Sequence, residues 1–466
     1  MHVKRNTRYH PSQASTQRLQ HYAKPLHATR HAIPPRRIYT GPIATTSNPT
    51  IFLSAGEASG DHYGAQIITE FTRRHSGATF FGLGGREMEA AGQDRIVRAE
   101  DVAHMGITEV LRHAPRVYSS YRRLVASIKQ RRPHAAVLID FPDVNLRLAR
   151  ELKSLNIPVV YFVSPQLWAW KRSRLRWVQQ RVDRMMVIFP FEEPFYRERQ
   201  VNATFTGHPL AELPLPTISH DHYATKHSLD TVKQWIALLP GSRKKEVYAN
   251  LPTMLEGVSR LSDDYEFLLP VASTLDPAWV RELANPWLSE FQRNTPSKLS
   301  NLHFVPDARE ALHHARASIV ASGTATVQAA VIGNPLIIVY RVSPLTFKLA
   351  KSLVHYPPEV WSAGLDAFGN LPIGMVNLIA SHRIVPELIQ DQFTAANVAS
   401  ALRPLLDDSP ERTRMISDLA DLRQKLLPQA GTSSIGQVAD AVDSLLNPSS
   451  EPTCRPEAKS QLSASK

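Results

Sequence analysis

Cysteine is almost absent: Cys454 is the single one in 466 residues. No internal disulfide can form, neither a CxxC redox pair nor a cysteine-built zinc site is available, and a reducing compartment is permitted. The 19 histidines are scattered without an HExxH pair, so neither a structural nor a catalytic metal is expected. A GxSxG elbow is missing, which removes the common serine hydrolase. No stretch reaches 18 apolar residues, because Gly, Pro, Ser or Arg interrupts each candidate; no spanning helix is expected. There is no short tandem repeat either.

Acidic residues are lacking up to Glu57. Lys4, Arg5, Arg8, Arg18, Lys24, Arg30, Arg36 and Arg37 therefore stand unopposed, and these eight supply most of the net charge of +12. About +4 is left for the rest of the chain. An acid-free leader rich in Arg, Ser, Thr and His looks like an organelle transit peptide, with a plain basic tail as the alternative. Its use of Arg over Ser and Thr favours a mitochondrion, with a chloroplast second. Nucleic-acid binding, suggested by a pI near 9.7, loses its main support once the leader is set aside.

What is present suits a folded globular chain: 43% hydrophobic and 21% charged residues. From residue 50, short β-branched or aromatic runs such as "IFLSAG", "TFFGLGG", "HAAVLIDF", "IPVVYFVSP" and "MMVIFPF" alternate with helical patterns. One of these, "NLRLARELKSLN", sets Leu146, Leu148, Leu152 and Leu155 roughly along one face. The rhythm is βαβ, stops in a Pro-rich polar stretch, and restarts at "WIALLPGSRKKEV". The expected architecture is α/β with two doubly wound, Rossmann-like domains. Its boundaries are a leader at 1–48, a first domain at 49–212, a linker at 213–234, a second domain at 235–384, C-terminal helices at 385–446 and a tail at 447–466.

In open α/β sheets ligands sit beyond the carboxyl ends of the strands, and four stretches occupy that position. "IFLSAGEASGD" ends a strand in small residues, so that Ala55, Gly56 and Gly60 admit a ligand or the opposite domain to the backbone. Glu57 and Asp61, four apart, would share a helix face; a plain strand-to-helix turn is the competing reading. "VLIDFPDVN" places Asp140 at a strand end, where a carboxylate can take a hydroxyl proton. Asp143, in the next loop, reads better as a helix cap. "ALLPGSRKKEV" puts Gly241, Ser242 and the cations Arg243, Lys244 and Lys245 at a helix start; free N–H groups, the dipole and a guanidinium suit a diphosphate. "IVASGTATVQAA" repeats the device with Ser322, Gly323 and Thr324. "SPQLWAWKRSRLRWVQQRVDRMMVIF" interleaves Trp168, Trp170 and Trp177 with Lys171, Arg172, Arg174, Arg176 and Arg181. It reads as a base-stacking or membrane-interface segment, or as a helix with aromatics inside and cations in water.

Together "SAGEASGDHYGA", "FFGLGGREMEAAG", "MGITEVL", "IDFPDVNLRLA", "VSPQLWAW", "FPFEEPFY", "FTGHPL", "LLPGSRKKEV", "ASGTATVQAA" and "YRVSPLTFKLAK" resemble, in family order, the lipid-A-disaccharide synthases. These are inverting glycosyltransferases of the GT-B type. The resemblance implies two Rossmann-like domains facing a cleft, and transfer of diacylglucosamine from UDP-2,3-diacylglucosamine to 2,3-diacylglucosamine 1-phosphate (lipid X). The products would be a β-1,6-linked tetraacyl disaccharide 1-phosphate and UDP. No cofactor and no metal are implied, since the UDP-sugar is a substrate. By the family pattern Asp140 is the base and Arg243 the essential arginine near the diphosphate. Glu57, Ser59, Asp61, Asp143 and Asn145 fall on the acceptor side. Gly241, Ser242, Ser322, Gly323, Thr324, Gln328 and Asn377 fall on the donor side. Acylated sugars imply a peripheral membrane location, and exchange of the C-terminal region between protomers would make a homodimer.

Two departures stand out. Gln328 replaces the Glu that the family more often carries at the ribose position. "HYPPEVWSAGLDAFGNLPIG" intervenes before "MVNLIASHR", so Asn377 and Arg383 match the family only approximately. A catalytically weakened lipid or nucleotide-sugar binding homologue is therefore the alternative to an active synthase.

Overall fold

The computed structural model describes residues 48–103, 107–294 and 301–447, and side chains throughout these except at 102–116 and 287–294. Nearly all of the leader, Cys454 and the tail beyond Asn447 lie outside the described residues, as do the first two residues of "MGITEVL".

Seven strands make the first sheet: β1 (Thr50–Ala55), β2 (Thr79–Gly84), β3 (Gln93–Arg98), β4 (Ala135–Ile139), β5 (Val159–Phe162), β6 (Arg184–Val187) and β7 (Ala203–Phe205). Six make the second: β8 (Gln234–Leu239), β9 (Tyr265–Pro270), β10 (Leu302–Val305), β11 (Ala317–Ala321), β12 (Leu336–Tyr340) and β13 (Glu387–Ile389). Every pairing is parallel. Parallel sheets are covered on both faces, so their central strands read as unbroken apolar runs; β4 is buried along its whole length. The covering helices do the rest, as in Pro142–Ser154, where Leu146, Leu148 and Leu152 are fully buried.

The orders are β3-β2-β1-β4-β5-β6-β7 and β10-β9-β8-β11-β12-β13. Each sheet starts at an inner strand, runs to one edge and resumes on the other side. A crevice therefore opens at the carboxyl ends between β1 and β4, and again between β8 and β11. Ser54 pairs with Leu138 and Ala55 with Ile139, so the loops after β1 and β4 leave the sheet side by side. The two doubly wound halves expected from the sequence are both present.

Several boundaries differ from the sequence reading. The second sheet extends past residue 384, because β13 pairs with β12; three residues are too few for a legible strand pattern. The linker contains a helix, His220–His227, whose Tyr223 is buried against Trp235. The C-terminal helices also divide. Ala395–Leu406 and Pro410–Leu426 pack on the second half, whereas Ser434–Leu446 crosses back onto helix Ala58–Arg74 and strands β4 and β5. Arg74 reaches Asp440 at 2.5 Å and Asp443 at 3.2 Å, and His75 Nε2 lies 2.7 Å from Asp443.

The crossing is seated on "FTGHPL". The His208 N–H donates to the Leu426 carbonyl at 2.8 Å, Gln437 Nε2 to that of Thr206 at 3.2 Å, and the Ser434 N–H to Glu212 at 3.0 Å. Gly207 has φ +83°, and a Cβ there would lie 2.5 Å from the Pro428 nitrogen. Gly207→Ala meets both strain and a backbone clash, and is expected to cost about 1–3 kcal/mol in urea unfolding. A loss below about 0.5 kcal/mol, the ordinary surface scatter, would show that the crossing relaxes freely.

Candidate active site

The first half of the site is a strained corner. Asp140 and Phe141 follow β4 with φ of 45° and 47°. Asp tolerates the left-handed region, but a bulky Phe does not, and such residues cost about 1–3 kcal/mol each. The surroundings hold them there. The Asp140 N–H donates to the Phe162 carbonyl at 2.9 Å, and its own carbonyl accepts from Tyr161 Oη at 2.6 Å and Asn145 Nδ2 at 2.8 Å. Asn145 is fully buried, also donates to the Ser54 and Ile139 carbonyls, and accepts from Ser54 Oγ at 2.6 Å. Its amide is consumed in tying β1 to β4 at the switch point.

The small residues after β1 serve the same corner. A Cβ on Gly56 would fall 2.4 Å from the Phe141 ring, and one on Gly60 would meet Ala55 and Ile139. Where a ligand or the opposite domain was expected against these glycines, the first domain's own residues stand: Phe141 against Gly56, and Ala55 with Ile139 against Gly60. Glu57 and Asp61 also part company. Asp61 turns inward and accepts from the N–H groups of Gly85, Glu87 and Met88 at 2.7, 3.0 and 3.1 Å, capping helix Arg86–Ala90. Glu57 and Ser59 stay exposed.

Burial, then the Glu57 charge, pushes the Asp140 carboxyl up to about 6, against a lowering hydrogen bond from the Phe141 backbone. Tyr63 is pushed up to about 12 by burial and by Asp140. A carboxylate so raised is a better proton acceptor, while still ionised at neutral pH. Glu57→Gln removes the neighbouring charge, so the acid limb of the pH–rate profile is expected to move below about 6. An unmoved limb would detach Glu57 from Asp140.

The second half is the start of helix Lys244–Val258. Arg243 Nη2 lies 3.8 Å from Glu57 Oε1, linking the loop after β8 to the loop after β1. The N–H groups expected to be free are occupied: Ser242 N and Arg243 N donate to Glu246 Oε2 at 3.1 and 3.3 Å, and Arg243 Nη1 lies 3.2 Å from Glu246 Oε1. Gly241, at φ +129°, lies so close to Glu246 that a Cβ would sit 2.6 Å from its side chain. A capping carboxylate thus fills the place read as a diphosphate cradle, and an incoming anion must displace it.

The remaining donor-side residues are placed unevenly. Ser322 Oγ is 3.4 Å from the Ile373 carbonyl, Gly323 and Thr324 are exposed at the start of helix Thr324–Ile332, and a Cβ on Gly323 would meet nothing within 4 Å. Gln328 is half-buried on that helix, and its side chain makes no hydrogen bond among the described residues. Asn377 is fully buried and its amide is spent on Ile384, Val385 and Glu387. Arg383 donates to the Asn370 carbonyl at 2.8 Å. Asp143 does not cap its helix; burial opposes its ionisation, but Arg174, in hydrogen bond, and Lys171 hold its carboxyl low. Of the three tryptophans of that segment, Trp168 is core, Trp177 is half-buried beneath Arg174 and Arg181, and Trp170 is well exposed.

Sequence reasoning passed over Tyr161, Phe141, Glu246 and Glu192. Tyr161 was a phenol inside an apolar strand, which needs a partner for its hydroxyl. Glu246 stands three after Arg243, the spacing of a capping box. Glu192, in "FPFEEPFY", is buried, accepts from Ser164 Oγ at 2.7 Å and Trp168 Nε1 at 3.1 Å, and burial pushes it up to about 7. Among the described residues no group of three or more His, Cys, Asp or Glu could hold a metal.

Two parallel-stranded α/β domains, with a carboxylate at one switch point and a cation at the other, make a fold of the GT-B type. Solved structures agree on the fold: a calicheamicin glycosyltransferase matches with TM-score 0.52 at 16% identity over 86% of this chain and 99% of its own. The glycosyltransferase of kitacinnamycin matches at 0.54 and 14% over 86% and 99%. The sequence narrows the class. The lipid-A-disaccharide synthetase family model matches residues 51–442. The lipid-A-disaccharide synthase of Acidobacterium capsulatum is 51% identical over 86% of this chain and 97% of the relative, and that of Koribacter versatilis 44% over 85% and 98%. The chain belongs to the lipid-A-disaccharide synthase family and is a glycosyltransferase.

Proposed function

We propose that the chain moves 2,3-diacylglucosamine from its UDP derivative to the 6-hydroxyl of lipid X, with inversion and without a metal. Asp140 takes the hydroxyl proton as the acceptor oxygen bonds to the anomeric carbon, and the bond from that carbon to the UDP oxygen breaks. Arg243 meets the charge that develops on the diphosphate, and the start of helix Thr324–Ile332 adds N–H donors. The observation that carries the reading is Asp140 itself. It is a raised carboxylate on a corner held from Tyr161, Asn145 and Ser54, with Glu57 and Arg243 meeting beside it. UDP release that requires both lipids tests it. Donor binding without turnover would instead establish the weakened binding homologue, for which the unpartnered Gln328 speaks.

Three further readings complete the proposal. The protein works at a membrane surface. No described helix is long and apolar enough to cross one. The leader directs the chain to a mitochondrion; a mature N-terminus near residue 48 in the source cells supports this, and an intact leader overturns it. The relatives named above are bacterial and lend it no weight. The protein is a homodimer; a solution mass near 52.1 kDa, that of one chain, would overturn that.

A further inference from the structure

Helix Pro344–Leu353 buries none of its residues. Leu345, Leu349 and Leu353, four apart and hence on one face, are 79%, 57% and 56% exposed. A soluble domain has little reason to line up three leucines in water. Leu365 and Phe368, 62% and 61% exposed, come from the segment 355–374 by which this chain departs from the family pattern.

Two fastenings set the helix end beside Trp170, and a third holds the 365–370 turn. Lys351 Nζ donates to Asn370 Oδ1 at 3.1 Å, which ties that turn to the side of the helix away from the leucines. The His355 N–H donates to the Ala169 carbonyl at 3.3 Å, and Arg172 donates to the His355 carbonyl, so the helix end lies beside exposed Trp170. Behind them Tyr356 packs on Trp168 at 5.6 Å between centroids, and Arg199 meets Glu359 at 2.7 Å. The fringe is cationic: Lys348, Lys351 and Arg172 are exposed, and Lys171 Nζ lies 4.1 Å from the Trp170 ring. The two acids of the segment are engaged, Glu359 with Arg199 and Asp366 with the N–H groups of Phe368 and Asn370.

We propose that this face docks on an anionic lipid bilayer, with Leu345, Leu349, Leu353 and Trp170 entering the interface and the lysines meeting lipid phosphates. The proposal rests on the membrane reading above and names the surface that serves it. Charge selects the occupant. A second copy of the chain on a twofold would set this cationic fringe against itself, whereas anionic headgroups complement it.

The test is flotation of the full chain with phosphatidylcholine vesicles, with and without phosphatidylglycerol. A Leu345→Ser, Leu349→Ser, Leu353→Ser triple variant runs beside the wild type, with Phe368→Ser, away from the leucine face, as the control that is expected to float like the wild type. Exposed positions leave the thermal melt unchanged, while binding to the anionic vesicles is expected to fall by about tenfold or more in the triple variant. Equal flotation of wild type and triple variant overturns the proposal, as does wild type that does not bind anionic vesicles. A wild-type dimer that the triple variant turns into a monomer, by light scattering without lipid, also overturns it, in favour of a self-association face. UDP release from detergent-dispersed substrates separates the two readings. Turnover retained by a variant that no longer floats supports the surface; wild type that floats but never turns over defeats the transferase and leaves the surface standing.

Discussion

Asp140→Asn is expected to stop turnover and stabilise the fold in the same stroke. The rate should fall by about 100- to 10,000-fold, the range supplied by a general base. The amide keeps the geometry, since Asn tolerates the left-handed backbone as Asp does. The stability change follows from the carboxyl, raised from its ordinary 3.8 to about 6 by burial and Glu57. A folded state that holds its proton more tightly gains stability below pH 4, and that gain is lost as pH rises through about 6. At pH 8 the wild type therefore carries a buried charge that Asn lacks, and the variant should be more stable by about 1–2 kcal/mol. At pH 4 the difference should vanish. Urea unfolding at both pH values reads this, and the wild-type rate should show an acid limb near 6. A variant that keeps its activity, or gains nothing at pH 8, would remove Asp140 from the role of base.

Arg243→Ala should cost about 100- to 1,000-fold in kcat, the loss seen when one donor to a developing charge is removed, and should weaken inhibition by UDP. Stability should stay within about 0.5 kcal/mol, because Arg243 is 70% exposed and its reach to Glu57 is long at 3.8 Å. Lysine should not restore the rate, since an ammonium lacks the planar fork that grips two phosphate oxygens. UDP inhibition unchanged in the alanine variant would place the diphosphate elsewhere. Glu246 sharpens this prediction. Its carboxylate holds the same N–H groups that the donor would use, so Glu246→Ala should tighten UDP while destabilising the helix start.

The architecture was legible because parallel strands announce themselves: "HAAVLID" and "WIALLP" are apolar runs of the length that only a doubly covered sheet allows. The positions of Asp140 and Arg243 were legible for a related reason: polar residues mark the places where such runs end, and both stand beyond the carboxyl ends of their strands. Asn145 and Asn377 were not. An amide that ties loops together and an amide that meets a sugar have the same letter, and only burial and the identity of the partners separate them. Gly56 misled in the opposite way, since a glycine reports a close approach but not by what; here it is Phe141. The return of Ser434–Leu446 to the first sheet carries no local sign at all, because its amphipathic pattern fits any apolar surface of the right width.

That returning helix sets the order in which the protein can be made. The strip it covers, on helix Ala58–Arg74 with β4 and β5, is synthesised about 270 residues ahead of its lid, an interval of roughly 14 to 54 s at ribosomal speed. Through that interval the nascent first domain shows the ribosome surface an open apolar seam. A chain stopped after the first domain would carry the seam permanently, so a truncated first domain needs helix Ser434–Leu446 supplied in trans before it can remain in solution.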